Sequence, residues 1–196
     1  MQLVFATNNK GKLQEIQQLL KGTPLKILSL KDIDFEGDIP ETGYTLEENS
    51  SQKALHIAEK YGCDCIADDS GLEVEALGGR PGVYSARYAG SRRSDSDNMQ
   101  KVLAEMTGVE NRRARFRTVI SLIRNGVERQ FEGIINGTIG EKPIGNMGFG
   151  YDPIFIPEGF QQTFAEMEMS EKNKISHRSK AIAQLVEHLR KLQYSS

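Results

Sequence analysis

The dipeptide Asn125-Gly126, set between the strand-like runs Phe116 to Ile123 and Val127 to Ile135, is the strongest local constraint in this sequence. A two-residue type I′ connection needs positive φ at both central positions, and Asn-Gly meets that demand at little steric cost. Two runs joined so tightly must pair antiparallel, because a parallel crossover needs a dozen residues or more. Around this hairpin, strands and helices alternate. The run Leu3 to Ala6 is followed by Leu13, Ile16, Leu19 and Leu20 at helical spacing, then by a second strand over Lys26 to Leu30. An antiparallel hairpin inside a strand-helix alternation calls for a mixed sheet flanked by helices, the α/β class.

The remaining elements follow from caps and turns. Asp32 to Glu41 reads as an acidic loop, and Thr45 with Glu48 has the spacing of a capping box before a helix whose buried side carries Ala54, Ile57, Ala58 and Tyr61. The extended run Cys65 to Ala67 is expected to end at Asp68-Asp69-Ser70-Gly71, leaving both aspartates at a strand end. Gly78 to Gly82 is turn-rich, and Ser94 to Asp97 caps a helix reaching Met106 and stopping near Gly108. A second glycine-rich loop, Gly145 to Gly150, precedes the apolar Pro153 to Ile156. A closing helix carries Ile182, Leu185, Val186, Leu189 and Leu192 as an apolar stripe, with His177 and Arg178 just ahead of it.

At 196 residues with no linker-like composition, the chain is expected to form a single domain over 1–196, large enough to bury a core. A net charge of −2 offers no general attraction to a nucleic-acid backbone, leaving only a local basic pocket for a small polyphosphate. No run of about 18 apolar residues is present and the N-terminus lacks a secretory pattern, so neither a membrane span nor export is expected and the cytoplasm is the expected location. Cys63 and Cys65 are the only cysteines, too few for a zinc site, and read as small packing residues.

Four segments carry residues suited to chemistry. Thr7-Asn8-Asn9-Lys10-Gly11-Lys12 links a strand to a helix, where backbone N–H groups and the helix dipole favour an anion and two lysines add charge. It lacks the G-x-x-x-x-G-K-[ST] spacing, and a solvated polar turn would look the same. Asp68 and Asp69, with Glu41 from its loop, offer oxygen ligands to a hard cation such as Mg²⁺, which takes one or two carboxylates with waters and substrate phosphates. Neighbours on a regular strand face opposite ways, so both aspartates share one site only if the chain turns there. His177 and Arg178 with Lys172 and Lys174 form a basic cluster for a phosphate or a base keto oxygen, or a solvated helix start. Phe149-Gly150-Tyr151-Asp152 presents two aromatics and a carboxylate, suited to a purine ring or to the core.

Together, TNNKGK, ETGYTLEENSSQKA, ADDSGLEVEALGGRPGVYSARYAG, GFGYDPIF and EKNKISHRSKA, in that order from residue 7 to residue 181, resemble the inosine triphosphate pyrophosphatase family. The resemblance implies a long mixed sheet with two lobes enclosing a nucleotide-binding cleft, a homodimer, and Mg²⁺ as cofactor. It implies that Thr7 to Lys12 contact the triphosphate, with Lys12 and Lys53 supplying charge. Lys53 alone would read as a surface lysine. Glu41 and Asp69 resemble the carboxylates tied to Mg²⁺ and water activation, Asp69 as general base with Asp68 beside it, and Ser70 resembles a substrate contact. Phe149 resembles the base-stacking aromatic, while Asp152, Lys172, His177 and Arg178 resemble the groups that recognise the purine. Ser179 stands where the family commonly has glycine.

The implied reaction converts ITP, dITP or XTP to the monophosphate and pyrophosphate. A 6-keto purine offers an acceptor where adenine offers a donor, so ATP is expected to react poorly. Two alternatives are a Maf-type nucleotide pyrophosphatase, against which the SHR and FGYD segments argue, and a nucleotide-binding protein that does not hydrolyse.

Overall fold

A computed structural model describes residues 1–194. Six strands form one mixed sheet in the order β2-β1-β3-β4-β5-β6. They are β1 (Gln2–Phe5), β2 (Lys26–Leu28), β3 (Cys65–Val74), β4 (Arg113–Arg124), β5 (Val127–Ile139) and β6 (Phe155–Pro157). β1 pairs parallel with β2 and with β3, whereas β5 pairs antiparallel with β6. The helices are α1 (Lys10–Leu19), α2 (Leu46–Tyr61), α3 (Asp95–Glu105), α4 (Met169–Ile175) and α5 (His177–Tyr194).

The chain divides into two compact units. The first holds Met1–Asp69, Thr118–Gly133 and the segment from Arg178 onward, and the second holds Ser70–Arg117 and Ile134–His177. In the first unit Leu3, Phe5, Ile66, Ile120 and Leu122 pack with Ile16 of α1 and with Ala181, Leu185 and Leu189 of α5. Val4, Ala6, Cys65 and Ala67 alternate with that set along β1 and β3 and pack instead with Ala54 and Ile57 of α2. Two-residue periodicity thus gives each strand a core on both faces. The second unit has its own core, in which Leu72, Val74, Phe116, Ile139, Phe155 and Phe164 pack with Val102 of α3 and with Met106 just after it.

The hairpin forms as its turn chemistry requires, with φ of 49° at Asn125 and 76° at Gly126. Both its strands run beyond the apolar stretches expected, to Arg113 and Ile139, because ion pairs such as Arg115–Glu73 keep polar positions extended. Three further expectations are corrected. The segment after β1 is not a loop throughout: Asn9 caps α1, its side chain accepting from the Lys12 N–H, so Lys10, Gly11 and Lys12 form the first helical turn. His177 and Arg178 open α5 rather than precede it. Asp68 and Asp69 lie inside β3, which continues to Val74 instead of ending. Gly71 permits this, since a Cβ there would meet the Gly82 carbonyl oxygen at 2.4 Å.

Candidate active site

In the first unit, the turn into α1 brings Thr7, Asn8 and Asn9 together. Thr7 Oγ1 accepts the Asn9 N–H at 3.2 Å, and the Asn8 amide donates to the Gly37 carbonyl at 3.2 Å. The first turn of α1 carries Lys10 and Lys12 but no acid. Cations are disfavoured at a helix N-terminus by the dipole, so two lysines there suit a bound anion better than a bare helix. Lys12 reaches Asp68 at 3.1 Å. Burial, and the nearby charges of Lys53 and Arg178, push the Lys12 ammonium down from its ordinary pKa although Asp68 opposes them.

Because β3 is regular at the two aspartates, their side chains go opposite ways and into different partners. Asp68 faces Lys12 and Arg178, whose Nε and Nη2 both donate to its Oδ2 at 3.2 Å, while Arg178 Nη1 binds Glu15. Burial alone would raise the Asp68 pKa, but Lys12 and then Arg178 overcome it and hold the carboxyl well below its usual range. Arg178, expected at the purine, is 1% exposed and fixed between Glu15 and Asp68.

Asp69 takes Lys53 on Oδ1 at 3.3 Å and the Asn49 amide on Oδ2 at 3.1 Å. The same Lys53 ammonium donates to Glu41 at 2.7 Å. Burial raises the Asp69 pKa, outweighing the pull of Lys53 and Lys12, and Glu41 adds to the rise. Lys53 is held above its ordinary value because Asp69 and Glu41 together overcome its burial. Glu41 and Asp69 thus converge on a single cation. Among the described residues no group of three or more His, Cys, Asp or Glu is placed to hold a metal. Two carboxylates fit Mg²⁺, which commonly takes one or two and completes its six ligands with water and substrate phosphate.

In the second unit, which begins at Ser70, the Gly145 to Gly150 loop is tied down by two carboxylates. Asp152 Oδ2 accepts the Phe149 N–H at 3.0 Å and the Lys172 ammonium at 2.6 Å, and Asp95 accepts the Gly150 N–H at 2.8 Å. Gly148 has φ of 77°, and a Cβ there would come within 2.0 Å of Asp152 Oδ2, so only glycine lets that carboxylate in. The Lys172 ammonium lies 5.1 Å from the centroid of the half-buried Phe149 ring and 5.4 Å from that of Phe164. His177 is buried and stacked on Phe116, with ring centroids 4.8 Å apart. Tyr151, also expected at the substrate, lies in the core with its hydroxyl donated to the Ser85 carbonyl.

The sequence matches the Ham1 family over residues 3–188. The chain belongs to the Ham1 family. It is 56% identical over 187 residues to a protein of Flavobacterium psychrophilum named dITP/XTP pyrophosphatase, covering 95% of this chain and 98% of that one. A Bacillus subtilis protein of the same name is 47% identical, with 93% of each chain covered. Among solved structures, a Ham1 protein from Coxiella burnetii superposes with a TM-score of 0.89 at 40% identity, covering 97% of this chain and 99% of that one. This Ham1 fold is the mixed sheet with flanking helices expected from the hairpin and its neighbours.

Glu15, Asn49 and Ser50 in the candidate site escape a reading of the sequence, and Lys53 emerges only from the resemblance. Glu15 lies three residues after Lys12 on α1, on the same helical face, and that spacing was the available signal. On α2, the polar residues Asn49, Ser50 and Lys53 interrupt a buried stripe otherwise made of Leu46, Ala54, Ile57 and Ala58. Polar groups in a buried stripe require partners, and here two of the three lead to Asp69.

Proposed function

We propose that this chain hydrolyses non-standard purine nucleoside triphosphates, ITP, dITP and XTP, to the monophosphate and pyrophosphate, with Mg²⁺ as cofactor. The observation that carries the reading is the buried Lys53 ammonium shared by Glu41 and Asp69 in the same unit as the lysine-bearing start of α1. The names of the Flavobacterium psychrophilum and Bacillus subtilis relatives support the substrate class.

In this reading Thr7 to Lys12 receive the polyphosphate through backbone N–H groups and two ammonium groups. A polyphosphate beside Lys12 relieves the crowding of cations that depresses its pKa. Glu41 and Asp69 are the residues that would hold Mg²⁺, which when bound neutralises phosphate charge and acidifies water. Asp69, its pKa raised by burial, takes a proton from the attacking water. The water oxygen bonds to the α-phosphorus as the bond to the bridging oxygen breaks, and the pyrophosphate carries its charge toward Lys10 and Lys12.

The residues that the resemblance implies for the base belong to the second unit. Phe149 offers a face for stacking, and the Lys172 ammonium can donate but not accept, so it suits a 6-keto oxygen but not the amino group of adenine. Asp152 orients both, and Ser70 and His177 complete this set. Arg178 contributes by holding Asp68 and Glu15.

Incubating ITP, XTP, GTP, ATP and dTTP with the protein and Mg²⁺, while following pyrophosphate and orthophosphate separately, tests this directly. Monophosphate and pyrophosphate are expected from ITP and XTP, with ATP and dTTP nearly inert. Orthophosphate as the first product would overturn the bond assigned, and preferential cleavage of dTTP would overturn the purine reading.

A further inference from the structure

The segment that carries Glu41 has no regular structure of its own, yet it is fastened to α2 at three successive backbone groups. The Thr42 N–H donates to Gln52 Oε1 at 2.9 Å, the Gly43 N–H to Asn49 Oδ1 at 2.8 Å, and the Tyr44 N–H to Glu48 Oε2 at 2.6 Å. Gln52 returns a bond from its amide to Thr42 Oγ1 at 2.9 Å. At the Gly43 rung a Cβ would meet Glu48 Cβ at 2.6 Å and Asn49 Oδ1 at 2.9 Å. Glycine is what lets the segment approach the helix so closely.

Among the described residues, the middle rung is the one that continues further. Asn49 is 1% exposed, and its two amide ends serve different elements: Oδ1 accepts from Gly43, and Nδ2 donates to Asp69 Oδ2. The assignment of oxygen and nitrogen is forced, because a backbone N–H needs an acceptor and an ionised carboxylate needs a donor. Lys53, one turn along the same face of α2, closes the circuit by binding both Glu41 and Asp69. Lys53 is a flexible point charge that tolerates several geometries, whereas the planar Asn49 amide fixes both a direction and a distance.

We propose that Asn49 is a positioning residue of the reaction, acting through Asp69 by holding that carboxylate and the Glu41 segment in one register. The inference rests on the reading of Asp69 as the carboxylate that activates water.

The test is a double-mutant cycle on the full chain, with turnover of ITP measured for the wild type, Asn49→Ala, Asp69→Asn and the pair. Asp69→Asn is expected to lower kcat by on the order of 10²-fold or more. Asn49→Ala should lower kcat by about 10-fold with KM for ITP changed by less than about 3-fold, and should cost at most about a further 3-fold once Asp69 is already replaced. Losses that multiply in the pair, or a loss carried by KM alone, would overturn the positioning role. Near-normal turnover by Asp69→Asn would instead sink the reading on which it rests. Should Asn49→Ala fail to fold, Asn49→Asp takes its place as a single variant. It keeps the acceptor for Gly43 and sets a second carboxylate against Asp69, so it should lower kcat at least as far as Asn49→Ala would, and unchanged kcat would overturn the proposal.

Discussion

The two units bury charge in different ways. The first meshes several ionisable side chains, with Arg178 shared between Glu15 and Asp68, Asp68 shared with Lys12, and Lys53 shared between Glu41 and Asp69. The second buries the pair Lys172 and Asp152 among the aromatic rings of Phe149 and Phe164, and its carboxylate also holds a backbone N–H. In a mesh, removing one member takes a partner from several others. In the pair, Asp152 keeps a hydrogen bond when Lys172 is gone. The first arrangement therefore couples the site to stability, and the second couples it to the shape of one loop.

The sharpest way to break this contrast is Arg178→Met. It leaves Glu15 and Asp68 buried without their shared cation, a change expected to cost about 3–5 kcal/mol of stability. Lys172→Met should cost clearly less, and denaturant unfolding of both variants would compare them. Acid should expose the same difference. The Asp68 carboxyl is held below its unfolded value of 3.8, so its contribution is complete above that pH and is lost as pH falls further toward its folded value. Arg178→Met should weaken that loss. Equal costs for the two variants, or an unchanged acid limb, would show that the mesh is no more cooperative than the pair.

A smaller effect is expected from the loop of the second unit. Phe149→Ala should raise KM for ITP by about 10-fold or more, since stacking of one base is worth roughly 1–3 kcal/mol. Gly148→Ala should act in the same direction while leaving the Phe149 ring intact, because the new Cβ displaces Asp152 and forces a positive φ on alanine. Steady-state kinetics on ITP separate the two units here. Changes in the loop should appear in KM, and changes at Asp69 in kcat.

The parts of this architecture legible in the sequence were those set by local chemistry. Asn125-Gly126 defines a hairpin with no help from the rest of the chain, and Thr45 with Glu48 marks the start of α2, although the Glu48 carboxylate goes to the Tyr44 N–H one residue before the cap. The strand through Asp68 and Asp69 was not legible, because two acids followed by Ser-Gly look like a turn. What holds them extended lies far away in the sequence: Lys12, Lys53 and Arg178 for the acids, and Gly82 for Gly71. The same holds for the candidate site. Motif resemblance brought Lys53 and Arg178 forward, but only their partners reveal that Lys53 sits between two carboxylates and that Arg178 is enclosed. Asn49 gives no signal in the sequence, because an asparagine on a helix is unremarkable unless its stripe is known to be buried.

The smallest effect belongs to the far end of the helix that Arg178 begins. Periodicity places Leu192 in the apolar stripe of α5 with Leu185 and Leu189, yet Leu185 is fully buried and Leu192 is 37% exposed. The stripe outruns the core it covers: Leu3, Phe5, Ile66 and Ile120 pack against α5 as far as Leu189. Leu185→Ala should therefore cost about 2–5 kcal/mol, the range for a truncated core leucine. Leu192→Ala should stay within about 0.5 kcal/mol of the wild type, with kcat and KM unchanged. A larger cost at Leu192, read by the same denaturant unfolding, would mean that this end of α5 is covered in solution by something beyond the packing seen within the chain.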